Sequence, residues 1–376
     1  MADRAQRRTW HRRHAVIAGL LTLLVAVMAA AGVAATAAAA TLPAGSSGAT
    51  QVAFSPDGTL LAGGYTDGTV RLWNVASGQS YGPVLRAGAG PAGGVTGMAF
   101  SPDGSVLAAG YGDGTISLWG VTTGQPSSSP LQAGSAVTGL AFSPDGTLLA
   151  SAQADGTVRL WNPASGLPSG SPLQAGSAVR AVAFSPDGKL LASADSNGAV
   201  QLWDVASGQV LGPALQAGPS AAGSATGLAF SPNGTLLACG YGDGSIRLWN
   251  PASGQPSGSA LQAGSAVNGV AFSPDGKLLA SADADGAVRV WDPASGQPSG
   301  APLQAGSAVN GVAFSPDGKL ASADASGAVK LWNTVPGSVG GLSLMNWIIL
   351  VAIVIAIALA VLAAIVTTRD IWLARK

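Results

Sequence analysis

The seven phenylalanines of this 376-residue chain recur at nearly constant intervals, and no other feature constrains the fold as strongly. Their separations are 46, 42, 42, 46, 42 and 42 residues, and a Trp follows the first six Phe by nineteen residues and the last by eighteen. The near-identical phrases YGDGTISLWG (111–120) and YGDGSIRLWN (241–250) share this rhythm, so a three-unit block has been duplicated. Such a period predicts units that each bury an apolar face against the next unit. The seven residues are Phe54, Phe100, Phe142, Phe184, Phe230, Phe272 and Phe314.

Turn chemistry divides each unit into four short strands. The tetrapeptide SPDG, or SPNG in the fifth unit, has Pro and Gly at positions that a tight turn favours. Further along, an Asp-Gly pair, replaced by Asn197 and Gly198 in the fourth unit, supplies the positive φ of a hairpin turn. Runs such as TLLAGGY and TVRLW between the turns have the composition and length of strands. Seven units of four antiparallel strands predict an all-β, seven-bladed β-propeller over residues 41–337.

The segment VTGLAFSPDGTLLASAQADGTVRLWN (137–162) closely resembles a WD-repeat, and the same pattern covers all seven units. The resemblance implies the seven-bladed WD-repeat propeller family, whose members most often bind their partners on one face. One departure matters, because no unit has the Gly-His pair that usually precedes the first strand. The buried Asp-His-Ser/Thr-Trp network of that family therefore cannot form, and each blade is expected to depend more on its Phe and Trp.

Ring closure is predicted to come from the residues just before the first unit. Six units have a Leu eleven or fifteen residues before the next Phe, and Leu42 precedes Phe54 by twelve. The segment TLPAG (41–45) is thus expected to be the outer strand of blade seven, beside the strand of Trp332, where it removes a free edge. The competing candidate is SVGGLSL (338–344), which otherwise belongs to a Gly-rich linker over 338–346.

Both ends of the chain have the composition of membrane-targeting segments. Residues 1–40 join an Arg cluster to an uncharged Leu/Val/Ala-rich run, which predicts either a cleaved signal peptide or a retained signal anchor. Residues 347–366 are twenty consecutive apolar residues, the length of a transmembrane helix. The basic tail over 367–376 predicts a cytoplasmic C-terminus. In either version the propeller lies outside the cytoplasmic membrane, and the Gly/Ala-rich composition is compatible with a bacterial source.

The charges and reactive groups of the middle of the chain exclude several functions. Residues 41–343 contain sixteen Asp and no Glu against ten Lys and Arg, and this negative balance is wrong for nucleic-acid binding. Both His lie in the targeting segment and Cys239 is the single Cys, so an intrachain disulfide and a Cys/His metal site are excluded there. No cofactor is indicated. We expect a non-catalytic scaffold or sensor, with an enzyme using channel-facing Asp, or a purely structural envelope component, as alternatives.

Positions where the repeats disagree are candidates for partner binding, since stacking dictates the shared positions. One set stands at the end of each second strand and the other at the start of each first strand; in the family, both border the partner-binding face. Three of the four Tyr fall in the first set, and Tyr is enriched in recognition surfaces. Neutral variation on an exposed rim is the alternative. The candidates for contact with a protein or peptide are Tyr65, Tyr111, Gln153, Arg180, Asp195, Tyr241, Asp283 and Asp324.

Overall fold

Seven four-stranded antiparallel sheets form the blades of a propeller, and the predicted fold class is confirmed. The structure, a computed structural model, describes residues 39–43, 45–87, 93–216 and 223–332. Within these ranges no helix is long and apolar enough to cross a membrane. The predicted signal segment up to Ala38, the linker, the transmembrane helix and the cytoplasmic tail lie outside the described residues.

In blades one to six the strands follow one another in the order of the chain, from the central axis outward, whereas the outer strand of blade seven comes from residues before blade one. The first strands are Ala49–Phe54, Val95–Phe100, Val137–Phe142, Val179–Phe184, Ala225–Phe230, Val267–Phe272 and Val309–Phe314. The second strands are Leu60–Tyr65, Val106–Tyr111, Leu149–Gln153, Leu190–Asp195, Leu237–Tyr241, Leu279–Asp283 and Leu320–Asp324. The third strands are Thr69–Asn74, Thr115–Gly120, Thr157–Asn162, Ala199–Asp204, Ser245–Asn250, Ala287–Asp292 and Val329–Trp332.

The fourth strands are short. In blades one to six they are Leu85–Arg86, Leu131–Gln132, Leu173–Gln174, Leu215–Gln216, Leu261–Gln262 and Leu303–Gln304. Three blades have a further two-residue strand that pairs with the end of the third strand, namely Leu167–Pro168, Gln255–Pro256 and Gln297–Pro298.

The SPDG turns are built by their own side chains. Ser55 Oγ accepts the N–H of Leu60 at 2.9 Å and donates to the Asp57 carboxylate at 2.6 Å, while Asp57 Oδ1 also accepts the N–H of Thr59. Gly58 has φ of +71°, which a residue with a side chain adopts only with strain. Equivalent turns occur in all seven blades and lie on one side of the propeller, which we call the SPDG face; the opposite side, with the Asp-Gly turns, is the Asp-Gly face.

The apolar core lies between blades rather than inside each one. Every described residue of the second strands is buried in most blades, because strands flank it within its own sheet and neighbouring blades cover its two faces. The cluster between blades seven and one joins Val329 and Leu331 to Leu61 and Trp73. A single blade would leave these surfaces in water, so the stability of each blade depends on its neighbours.

Blade seven is closed by Ala39–Leu42, which pairs antiparallel with Val329–Trp332. The Leu spacing predicted that this strand starts at Thr41, but it begins two residues earlier. Ala39 is aligned with Trp332, and Leu42 is aligned with Val329. Leu42 is buried, and the carbonyl of Pro43 accepts the Trp73 indole N–H at 3.0 Å. The closing strand thus covers an edge of blade seven and also contacts blade one.

Leu42→Ala is expected to lower the free energy of unfolding by about 2 to 5 kcal/mol, the usual cost of removing a large buried aliphatic side chain. Thr41→Ala, at the exposed neighbouring position, is the matched control and should change stability little. Thermal unfolding of the full-length chain measures both. Equal melting temperatures for Leu42→Ala and the wild type would show that this strand does not hold the ring closed.

Candidate functional site

The residues at the ends of the second strands are buried, which fits neither the expected direct contact with a partner at these positions nor the alternative of an exposed rim. The three Tyr, Gln153 and Asp283 have no exposed surface, and Asp195 is only 7% exposed. The cause is the packing of blades face to face, which covers the last residue of the second strand as fully as the strand's middle. Of the eight candidates, Arg180 alone is exposed; the buried residues are Tyr65, Tyr111, Gln153, Asp195, Tyr241, Asp283 and Asp324.

The three Tyr fill space between neighbouring blades. A Cβ at Gly68 would lie 3.9 Å from Tyr111 Cε1, and a Cβ at Gly198 would lie 3.8 Å from Tyr241 Cε1, so each ring covers the Asp-Gly or Asn-Gly turn of the preceding blade. Tyr65 lies under the Arg71 guanidinium, whose Cζ is 5.8 Å from the ring centroid. Burial raises the pKa of Tyr65 to about 12. These phenols are structural and neutral, and they offer no aromatic surface to a partner.

A serine-to-tryptophan hydrogen bond distinguishes two types of blade. In blades three, four, six and seven, a Ser two residues before the strand-end Gln or Asp accepts the indole N–H of the Trp ten residues later. The distances are 2.8 Å for Ser151 and Trp161, 2.9 Å for Ser193 and Trp203, 3.2 Å for Ser281 and Trp291, and 3.0 Å for Ser322 and Trp332. The Asp-His-Ser/Thr-Trp network of the family lacks its His in this chain. Its Ser and Trp are nevertheless present and hydrogen-bonded to each other in these four blades.

The Tyr blades, one, two and five, have a different set of residues. Gly63, Ala109 and Cys239 replace the Ser, and Gly64, Gly110 and Gly240 replace the Ala that follows it in the other blades. A Cβ at these second glycines would lie 2.5, 2.4 and 2.5 Å from a Val of the next blade, so Ala does not fit there. The sequence of the units carries a signal for these two types of blade, because in no unit is the Ser followed by Tyr two residues later.

The Gln and Asp residues of the Ser blades also have local structural partners. Gln153 Nε2 donates to Ser151 Oγ at 2.9 Å, and its carbonyl accepts the Thr157 hydroxyl. Asp195 Oδ1 accepts the N–H groups of Asn197 and Ala199, both at 2.9 Å. Asp195 thereby replaces the turn carboxylate that blade four lacks.

Blade seven uses the same substitution. Asp324 Oδ1 accepts the N–H groups of Ser326 at 2.9 Å and Ala328 at 3.1 Å. Ser326 stands where most blades have the Asp of the Asp-Gly turn. The buried carboxylates of Asp195 and Asp324 therefore shape turns and are not available to a ligand.

Blade six contains an ion-pair network in which Asp283 is buried and its partners are partly exposed. Arg289 Nη1 lies 2.7 Å from Asp283 Oδ2, and Arg289 Nη2 lies 2.8 Å from Asp285 Oδ2. Burial raises the pKa of Asp283 to about 6, an effect that exceeds the opposing effect of Arg289. Hydrogen bonds from Arg289 lower the pKa of the less buried Asp285. The two carboxylates bind an Arg of their own blade, and no group of three or more metal-ligating side chains occurs within the described part of the chain.

A cavity of about 170 Å³ lies on the central axis, lined by the first strands of all seven blades. Its entrance, toward the Asp-Gly face, is formed by the second residue of the first strand in blades two to seven. These residues are Thr in three blades and Asn in two, and Arg180 takes the position in blade four. Among the described residues that line the cavity, Arg180 alone carries a charge.

The Thr and Asn of this ring fasten five of the blades to the next one. Thr138 Oγ1 donates to the carbonyl of Val179 at 2.6 Å, Asn268 Nδ2 to that of Val309 at 2.7 Å, and Thr96 and Thr226 make equivalent bonds. Asn310 Nδ2 donates to the carbonyl of Ala49 at 2.8 Å, so the series continues across the junction of blades seven and one. These side chains have a structural use, whereas no such bond from Arg180 occurs in the described part of the chain.

The chemistry of the cavity favours binding over catalysis. No Asp is among the described residues that line it, so the alternative of an enzyme with channel-facing Asp has no residues to carry it there.

Cys239 is buried, and burial raises the pKa of its thiol to about 12, which keeps the thiol protonated and unreactive at neutral pH.

Comparison with known families agrees with the architecture. A family model described as IFT122 first beta-propeller matches residues 94–354, and a model described as WD domain, G-beta repeat matches residues 38–74. The first match spans more than two thirds of the chain, and the chain therefore belongs to the WD-repeat β-propeller family. Proteins of this family are generally scaffolds for protein interactions. No curated protein matches the chain.

Ser151→Ala is expected to destabilise the protein by about 1 to 3 kcal/mol, because it leaves the buried indole N–H of Trp161 without its acceptor. A double-mutant cycle with Trp161→Phe isolates this bond, since Phe has no N–H to leave unpaired. The loss caused by Ser151→Ala should be smaller in the Trp161→Phe background. Equal losses in both backgrounds, measured by urea unfolding, would show that the hydrogen bond contributes nothing.

The buried Asp283 is expected to make stability depend on pH. Its pKa is raised above the ordinary value of 3.8 to about 6, so its contribution is fully present below pH 3.8 and is lost as the pH rises through 6. The loss is about 3 kcal/mol, because one pKa unit corresponds to about 1.4 kcal/mol. Melting temperatures at about pH 4 and pH 7 should show that Asp283→Asn removes this loss.

Asp275→Asn is the matched control for the pH experiment, because blade five has Asn233 at the equivalent turn position. Hydrogen bonding from Ser273 lowers the pKa of Asp275, so its titration lies below the pH range tested. This variant should retain the wild-type difference between the two pH values. If Asp283→Asn retained it as well, Asp283 would not be the group responsible.

Proposed function

We propose that this protein is a non-catalytic scaffold or sensor that is held outside the cytoplasmic membrane and binds a protein or peptide on its Asp-Gly face. The observation that carries the proposal is the central cavity near that face, with one exposed cation and no carboxylate among its described lining residues. Such a surface can bind a ligand, but it has no group suited to general acid or base catalysis.

The positions of the chain ends support the choice of face. Ala39 is aligned with Trp332 in blade seven. Leu320, which begins the second strand just after the SPDG turn, is also aligned with Trp332. Both ends of the described propeller therefore leave from the SPDG side. A propeller tethered to a membrane through the segment at 347–366 would present its Asp-Gly face away from the tether.

The two faces also differ in charge. The SPDG side carries eight Asp and three Lys, a net charge of −5, and each Lys lies next to an Asp of its own turn. Six of the Asp are the turn residues themselves, and hydrogen bonds from the turn keep their pKa values low. The Asp-Gly side carries eight Asp and seven Lys and Arg. The near-neutral face is therefore the better surface for a partner that is not strongly basic.

Membrane topology can be tested with engineered cysteines, because the native Cys239 is buried. Asn197→Cys is exposed on the Asp-Gly face and should react with a membrane-impermeant maleimide in intact cells. Ala374→Cys, in the predicted cytoplasmic tail, should react only after permeabilisation. Protection of Asn197→Cys in intact cells would overturn display outside the membrane.

Partner binding can be tested with a photoreactive residue at Asn197 and, as the matched control, at Asn233. Both are exposed turn Asn residues, the first on the Asp-Gly face and the second on the SPDG face. We expect a discrete cross-linked protein from Asn197 that, once purified, binds the full-length chain saturably. Equal products from both positions, or no saturable binding, would contradict the proposed face.

A further inference from the structure

The central cavity has layers of different chemistry along its axis. The Thr, Asn and Arg side chains form the entrance, and Gly occupies most positions of the next layer. Apolar side chains follow, namely Met98, Leu140, Val182, Leu228, Val270 and Val312. A ligand that enters from the Asp-Gly face meets polar groups first and apolar groups below them. This order fits a group with a polar head and a short aliphatic portion.

Arg180 has no ionic partner among the described residues. The nearest carboxylate in the strand pairing is that of Asp195, which is aligned with Val179. That carboxylate accepts two backbone N–H groups of its own turn and forms no ion pair with Arg180. By contrast, the cation of Arg289 is held by two carboxylates, and the Lys330 ammonium donates to the carbonyl of Ala305. Arg180 is therefore free to bind a group from outside the domain.

The charge of the cavity selects an anion. Residues 41–343 carry a net charge of −6, yet the described lining of the cavity has one positive and no negative side chain. A guanidinium has a planar fork of N–H donors that matches the two oxygens of a carboxylate. One Arg balances the single charge of a carboxylate, whereas a phosphate dianion would remain only half neutralised.

The volume limits how much of a ligand can enter. A cavity of about 150 Å³ accommodates a molecule the size of benzene, and this cavity measures about 170 Å³. It holds one side chain or one chain terminus, and not a folded segment. An Asp or Glu side chain, or the C-terminal carboxylate of an apolar residue, has a suitable size.

We infer that the mouth of the central cavity is a carboxylate-binding site in which Arg180 pairs with an acidic side chain or a free C-terminus of a protein partner. The inference deepens the proposed function and rests on it for the identity of the ligand as part of a protein. The site itself requires only the propeller, so its anion binding can be measured independently of membrane topology and of any natural partner.

The test uses the full-length chain and four defined probes: N-acetyl-Gly-Gly-Leu with a free C-terminus, its C-terminal amide, inorganic phosphate, and N-acetyl-glutamate N-methylamide. Binding is measured by saturation-transfer NMR on the probe. We expect the free acid to bind at least tenfold more tightly than the amide and more tightly than phosphate. N-acetyl-glutamate N-methylamide, which carries its carboxylate on a side chain, distinguishes the two carboxylate sources.

Arg180→Thr is the decisive variant, because Thr is native at the same position in four other blades and is compatible with the fold. It should reduce binding of the acid at least tenfold and leave thermal stability near that of the wild type. Arg86→Thr is the matched control, since it removes the same charge at an exposed position outside the described cavity lining.

Three results would overturn the inference. These are equal binding of acid and amide, unchanged binding in Arg180→Thr, and an equal loss in Arg86→Thr, which would indicate a general charge effect. Tighter binding of phosphate than of either carboxylate would show that the ligand class is wrong. If the probes bound as expected but the cross-linking experiment failed, the proposed partner function would be rejected and the carboxylate site would stand.

Discussion

The contact between neighbouring blades is the interaction on which the whole structure depends. Each second strand is buried by strands on either side and by blades on either face, and the apolar clusters join residues of adjacent blades. Removal of this apolar surface from water is the main favourable term, and it exists only when a neighbour is present. A linear stack would leave two such surfaces open, whereas a ring leaves none.

The junction of blades seven and one shows that several independent contacts secure this ring. Leu42 contributes apolar contact, Asn310 donates a hydrogen bond to Ala49, and a Cβ at Gly58 would lie 3.2 Å from Pro316 of the adjacent SPDG turn. The hydrogen bond and the turn contact recur between other blades. The junction therefore differs from them mainly in having its outer strand supplied by the other end of the chain.

Local sequence rules accounted for much of the fold and for little of the site. The Phe and Trp spacing and the SPDG turns predicted the strands well, because turn geometry depends on a few neighbouring residues such as Ser55 and Asp57. The burial of Tyr65 and its equivalents was predicted wrongly, since it depends on blade-to-blade distance, which no single unit encodes. Arg180 was identified because it differs from its equivalents, and that signal does not require knowledge of packing.

The side-by-side exit of the chain ends has a mechanical consequence. Ala39 and Trp332 are neighbours in an antiparallel pair, so forces that draw both ends in the same direction do not separate the two strands. Forces that draw the ends apart would break the hydrogen bonds of this seam one after another, starting at Trp332. The ring should thus resist a pull from a common anchor and yield to opposed pulling at its two termini.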